Sequence, residues 1–261
     1  MEVMKPLFLL MGLSVLGMAD AFNVRDVEKQ YSVAPEVKVT KPLQQQLDFG
    51  FSNTTGNTDT LTLNGKYQLS FIQEGYAKRP LKLAFEASAL MSKSDGVRDN
   101  ESYRLWLGLE QRLQEAWLGY ASLAWLHNTF QNFDAKESLG LGVGKSLISE
   151  SHWSVTLKLG VAYNKEVYTN TQPTHTYSSL NEYFEVKREF NAISRLSLKL
   201  GALQNMAHFE EYELSSVIGM HFRVGENLSL TIEEEIDYLH IPPIGFKQTD
   251  TKSIIRLGYS F

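Results

Sequence analysis

The sequence predicts an all-β fold, a transmembrane antiparallel up-and-down β-barrel of about 12 strands. Three observations predict it. Over 43–261 apolar and polar residues alternate with period two, as in strands whose faces meet unlike surroundings. The alternating runs are mostly about 10 to 15 residues long. A tilted membrane strand needs about 9 to 11, whereas globular strands usually have 5 or 6. Finally, the chain begins with a secretory signal and ends in an alternating run closed by Phe261.

In chain order, Lys5 precedes an apolar stretch over 7–17, followed by Met18-Ala19-Asp20-Ala21. An 11-residue run is too short for a transmembrane helix, which needs about 20, so 1–21 is expected to be a cleaved signal peptide. Residues 22–42 carry charges, Pro35 and Pro42, and form a periplasmic N-terminal lead. The barrel follows over 43–261. Its first run sets Leu43, Leu47, Phe49 and Phe51 against Gln44, Gln46, Asp48 and Ser52. The second sets Leu61, Leu63, Tyr67 and Leu69 against Thr62, Asn64, Lys66 and Gln68. The third and fourth run through Leu81–Met91 and Tyr103–Leu109 in the same way. Eight more strands are expected near 117–129, 137–148, 153–167, 179–190, 195–205, 209–223, 228–240 and 250–261. The run at 117–129 is apolar on both faces, and Glu182 interrupts the apolar face of 179–190.

Connections at 74–80, 113–116, 149–152, 191–194 and 225–227 are mostly short. Those at 93–100, 130–136, 168–178 and 241–249 are mostly longer and polar. That asymmetry is expected of an outer-membrane barrel with both termini in the periplasm. Hydrocarbon supplies no hydrogen-bond partner, so the sheet must close, with its apolar face to lipid and its polar face to the lumen. Tyr76, Trp117, Trp153, Tyr168, Tyr238 and Tyr259 lie near strand ends, where an interfacial girdle belongs.

Composition excludes several functions. The 261 residues carry a net charge of −5, which disfavours a nucleic-acid binder. Mean hydropathy of −0.23 is too low for a polytopic helical membrane protein. Without cysteine there are no disulfides, thiolate metal sites or cysteine nucleophiles. His127, His152, His175, His208, His221 and His240 form no metal motif, no G-x-S-x-G elbow occurs, and Ser122 and Ser216 have no distinguishing context. Gly140-Leu141-Gly142-Val143-Gly144 lies within a strand with no helix after it, so it is not a dinucleotide fingerprint. No catalytic residue, cofactor or metal is expected.

The luminal face holds charges of both signs, among them Lys66, Lys82, Glu86, Arg104, Glu110, Arg112, Lys158, Glu213 and Arg223. The final hairpin sets Glu233, Glu235 and Asp237 against Lys252 and Arg256, with opposed residue numbers expected to sum to 489 or 491. These charges suit either a narrow aqueous path or a lumen shut by ion pairs. The leading function is a narrow, weakly selective small-solute or ion channel, or an envelope-structural protein. The rival is an outer-membrane lipid-modifying enzyme, which a Ser-His or Glu-His pair at one depth on adjacent strands would favour. Expected partners are outer-membrane lipid, periplasmic chaperones and the barrel-insertion machinery, for which Tyr259 and Phe261 are the candidate signal. A monomer or weak oligomer is expected.

The segment Leu47-Asp48-Phe49-Gly50-Phe51-Ser52-Asn53-Thr54-Thr55-Gly56-Asn57-Thr58-Asp59 resembles the opening hairpin of the family known as domain of unknown function 481, whose members include salt-induced outer-membrane proteins. Leu139-Gly140-Leu141-Gly142-Val143-Gly144 is similar to its glycine-rich middle strand, although Lys145 departs from the aromatic or arginine expected there. Ile255-Arg256-Leu257-Gly258-Tyr259-Ser260-Phe261 is similar to its closing strand. The resemblance implies an outer-membrane barrel and no established reaction.

Overall fold

The computed structural model describes residues 43–55, 60–94 and 97–261. The signal peptide at 1–21, the lead at 22–42 and the tip at 56–59 lie outside them. Twelve strands follow one another: β1 (Leu43–Thr55), β2 (Thr60–Glu74), β3 (Pro80–Ser94), β4 (Val97–Arg112), β5 (Trp117–Asn128) and β6 (Phe133–Ser149). Then come β7 (Trp153–Tyr168), β8 (His175–Glu189), β9 (Ser194–Asn205), β10 (Tyr212–Arg223), β11 (Leu228–Leu239) and β12 (Thr249–Ser260). Each strand pairs antiparallel with its chain neighbours, and β1 pairs with β12, so the sheet closes without an edge.

Opposed residues share a face, so the alternation carries round the barrel. Leu63, Phe49 and Leu141 are 65%, 63% and 58% exposed, while Asp48, Thr62 and Arg256 are buried. Apolar residues lie outside and polar ones inside, the reverse of a soluble domain. The ambiguous run at 117–129 resolves by the same rule: Leu118, Tyr120 and Leu126 point inward, while Trp117 and Leu123 point outward.

Outward aromatics form two belts. Trp117, Trp153, Phe190, Tyr259 and Phe261 mark the end that carries the C-terminus and the short turns, the periplasmic end in such barrels. Tyr103, Trp125, Tyr163, Tyr212 and Tyr238 mark the other. Trp153 and Tyr163 on β7 are ten residues apart. At about 3.3 Å per residue and a tilt near 40°, that spans about 25 Å, the height of a hydrocarbon band. Tyr168 does not belong to the girdle. It turns inward, donating to Glu166 Oε2 at 2.7 Å and stacking on Phe133 at 5.7 Å.

Two expected loops are largely strand. β3 and β4 stay paired up to Ser94 and Val97, and β6 begins at Phe133. Above the outer belt both faces of a strand meet water, so outward positions there are polar and the alternation disappears while the hydrogen-bonded ladder continues. The Lys165–Glu137 ion pair, at 3.5 Å on the outward face of β6 and β7, belongs to this zone. The connection at 168–178 likewise shrinks to 169–174.

Inside, the glycine-rich strand has a packing reason. A Cβ on Gly142 or Gly160 would lie 2.3 or 2.0 Å from the Tyr120 hydroxyl. The bare backbones of β6 and β7 leave room for that ring in the lumen.

Candidate functional site

The lumen is the candidate site, and its best-defined part is the last hairpin. Glu233, Glu235 and Asp237 face inward from β11, with Lys252 and Arg256 inward from β12. Opposed residues sum to 487, not 489 or 491: Glu235 faces Lys252 and Asp237 faces Asp250. A slip of two residues keeps every face, so patterning could not choose between these registers. The nine-residue connection at 240–248 chooses, with the Leu239 amide donating to the Gln248 carbonyl at 2.8 Å. The acidic and basic faces still meet, along diagonals. Arg256 donates from both terminal nitrogens to Glu233 Oε2 at 2.6 and 2.5 Å, and Lys252 lies 3.8 Å from Asp237. Arg223 is not among them. It is exposed at the periplasmic end of β10.

Lys66 and Glu86 pair at 3.0 Å on neighbouring strands. Other ion pairs cross the lumen. Lys158 on β7 donates to Glu110 on β4 at 2.8 Å, and Lys136 on β6 donates to Glu213 on β10 at 2.7 Å. Lys136 also lies 3.0 Å from Glu166. Sequence reasoning missed both of these residues. Glu166 sits on the polar parity of β7 and was legible there, but Lys136 became luminal only through the longer β6.

The lumen is not uniformly polar. Trp106, Leu118, Tyr120, Tyr183 and Ile254 are buried within it, and Lys158 lies 5.8 and 5.9 Å from the ring centres of Tyr120 and Tyr183. Mid-barrel, a void of about 30 Å³ remains between Asn64, Arg104, Glu235 and Arg256, enough for a water or two. Towards the outer end the β5–β6 connection folds inward as a helical turn over Thr129–Gln131, burying Phe130 and Gln131. Gln131 Nε2 reaches Asp250 on β12 at 3.4 Å.

A Ser-His pair does occur. Ser197 Oγ and His221 Nε2, on adjacent strands, are 3.4 Å apart, and His221 Nδ1 is 3.1 Å from Thr231 Oγ1. The ring is oriented by a hydroxyl rather than a carboxylate, and Arg195 lies opposite it on β9. Both residues face the lumen, away from lipid acyl chains. Ser122 is buried on the luminal side, and Ser216 lies on the outward face of β10. Glu-His contacts also occur: His175 is 3.6 Å from Glu211 and His127 is 3.7 Å from Glu101. The first lies at the outer mouth, and the second faces outward near the outer belt.

Known structures share the architecture. The NanC porin aligns over 82% of this chain and 98% of its own, with 8% identity and a TM-score of 0.53. The COG4313 outer membrane channel from Pseudomonas putida F1 aligns over 87% and 100%, with 12% identity and a TM-score of 0.52. At such identities the likeness establishes the fold, that of an outer-membrane β-barrel. No curated protein matches the sequence. The sequence profile of DUF481, described as a protein of unknown function, matches residues 47–261, and the chain therefore belongs to the DUF481 family.

Proposed function

We propose that this barrel is a narrow, weakly selective channel for small solutes or ions in the outer membrane, reached by export through a cleaved signal peptide. One observation carries the reading: beside a cluster of buried apolar residues that includes Leu118, Tyr120 and Tyr183, the lumen is spanned by the ends of charged side chains. Lys158–Glu110 and Lys136–Glu213 are bridges between flexible groups, and water-sized space remains between Glu235, Arg104 and Arg256. With both signs interleaved, little net field favours either ion. Two porin and channel structures of the same fold are consistent with such a role. Lipid-modifying chemistry is not favoured, because Ser197 and His221 stand on the side of the sheet away from lipid and lack a carboxylate orienter.

Planar-bilayer recording of the refolded protein tests the proposal. Small conductance with weak selectivity is expected, shifting towards anions when Glu233 and Glu235 are both changed to Gln. A complete absence of conductance would leave an envelope-structural role.

A further inference from the structure

At the outer end the lumen widens into a cavity of about 160 Å³, bounded partly by Pro242 and Pro243 of the β11–β12 connection. Its lining differs from the rest of the interior. Three carboxylates, Glu166, Glu211 and Glu213, are joined there by the inward rings of Phe133, Tyr168 and Tyr177. Lys136 reaches this group and His175 lies 3.6 Å from Glu211, so the local charge is −2 with the imidazole neutral and −1 with it protonated, negative either way.

Lys136 displays what these surroundings do to an ammonium. Its Nζ donates to Glu213, lies 3.0 Å from Glu166 and sits 5.1 Å from the centre of the Phe133 ring. Carboxylates beside an aromatic face are the combination that holds organic cations. Glu211 takes no part in binding Lys136. It accepts from Asn205 Nδ2 at 2.6 Å and keeps about a third of its side chain exposed. A bare metal ion suits the cavity less well, since among the described residues no three His, Asp or Glu side chains converge as metal ligands.

We propose that this outer cavity binds small organic cations: an ammonium attached to an apolar body about the size of one aromatic ring. A cavity of about 150 Å³ accommodates benzene, so the volume fits. The ammonium sits beside Glu211, with the body against Tyr168 and Pro243, and Lys136 and His175 are its internal competitors. The inference rests on the channel reading only for the side from which the cation arrives.

Calorimetric titration of the refolded full chain in detergent, using benzylammonium, benzyl alcohol and benzoate, tests it. Saturable benzylammonium binding is expected, with the neutral and anionic analogues at least about tenfold weaker. Glu211→Gln should weaken benzylammonium about tenfold while leaving heat-modifiable migration unchanged, and Tyr168→Leu should weaken it independently. Equal binding of all three compounds, or unchanged binding in the Glu211→Gln variant, would overturn the proposal. Bilayer recordings separate this from the channel reading. Conductance without benzylammonium binding overturns the cation site alone. Binding without any conductance overturns the channel and leaves the site standing.

Discussion

Lys136 on β6 and Glu213 on β10 meet across the lumen at 2.7 Å, joining strands that share no hydrogen bond. The contact ties opposite walls of the barrel together near its outer mouth. Lys136 is 4% exposed at its side chain, so its charge depends on Glu213 and Glu166 for compensation.

Removing that lysine should therefore be costly. Lys136→Met is expected to destabilise the barrel by about 3 kcal/mol in urea unfolding from lipid vesicles, and Glu213→Gln added to it should recover part of the loss. The single variant should also raise conductance. Additive losses in the double variant would mean that the bridge is energetically silent.

The outward face should reject charge. Leu63→Arg and Leu141→Arg place a cation in the lipid band and should each cost about 2 to 4 kcal/mol, with Thr156→Arg on the luminal face costing far less. Equal costs on the two faces, measured by the same unfolding assay, would contradict the assignment of sides.

Glu182 offers the converse test. It stands on the outward face of β8 between Leu159 and Ala202, with no ion pair among the described residues. A carboxyl there is unfavourable in hydrocarbon, so Glu182→Leu should stabilise the barrel by about 1 kcal/mol. Loss of stability in that variant would indicate that a partner satisfies the carboxyl in the membrane.

Packing inside the barrel makes a fourth prediction. Gly160→Ala should destabilise by about 1 to 3 kcal/mol, because the added methyl meets the Tyr120 hydroxyl and the Leu141 carbonyl. Tyr120→Phe in the same chain should relieve only part of the clash. Full recovery would show that the backbone contact is unimportant.

The terminal strand is the last case. Phe261 lies in the periplasmic belt, stacked on Tyr259 at 6.3 Å, with its amide donating to Gln45 at 3.2 Å. Phe261→Ala, or its deletion, should lower the amount of heat-modifiable protein in the outer membrane. Unchanged levels would remove the terminal-signal role.

Much of this architecture is written in local alternation. Leu257 and Ile255 had to face one medium and Arg256 and Lys252 another, because successive side chains leave a strand on opposite sides. Strand length and the lack of hydrogen-bond partners in hydrocarbon then require a closed, membrane-spanning barrel. The facing of the charges on β11 and β12 follows from the same parity.

Alternation is silent wherever both faces of a strand share one medium. The start of β6 around Lys136 and the ends of β3 and β4 rise above the lipid band, so their strand character was hidden. It is equally silent about a slip of two residues, which keeps every face while changing each partner. That is why Glu235, rather than Asp237 or Glu233, came to lie opposite Lys252. Parity placed Glu110, Lys158 and Glu213 inside the barrel; only closure decided that they bridge it, because it brings together side chains from strands that are never neighbours in sequence.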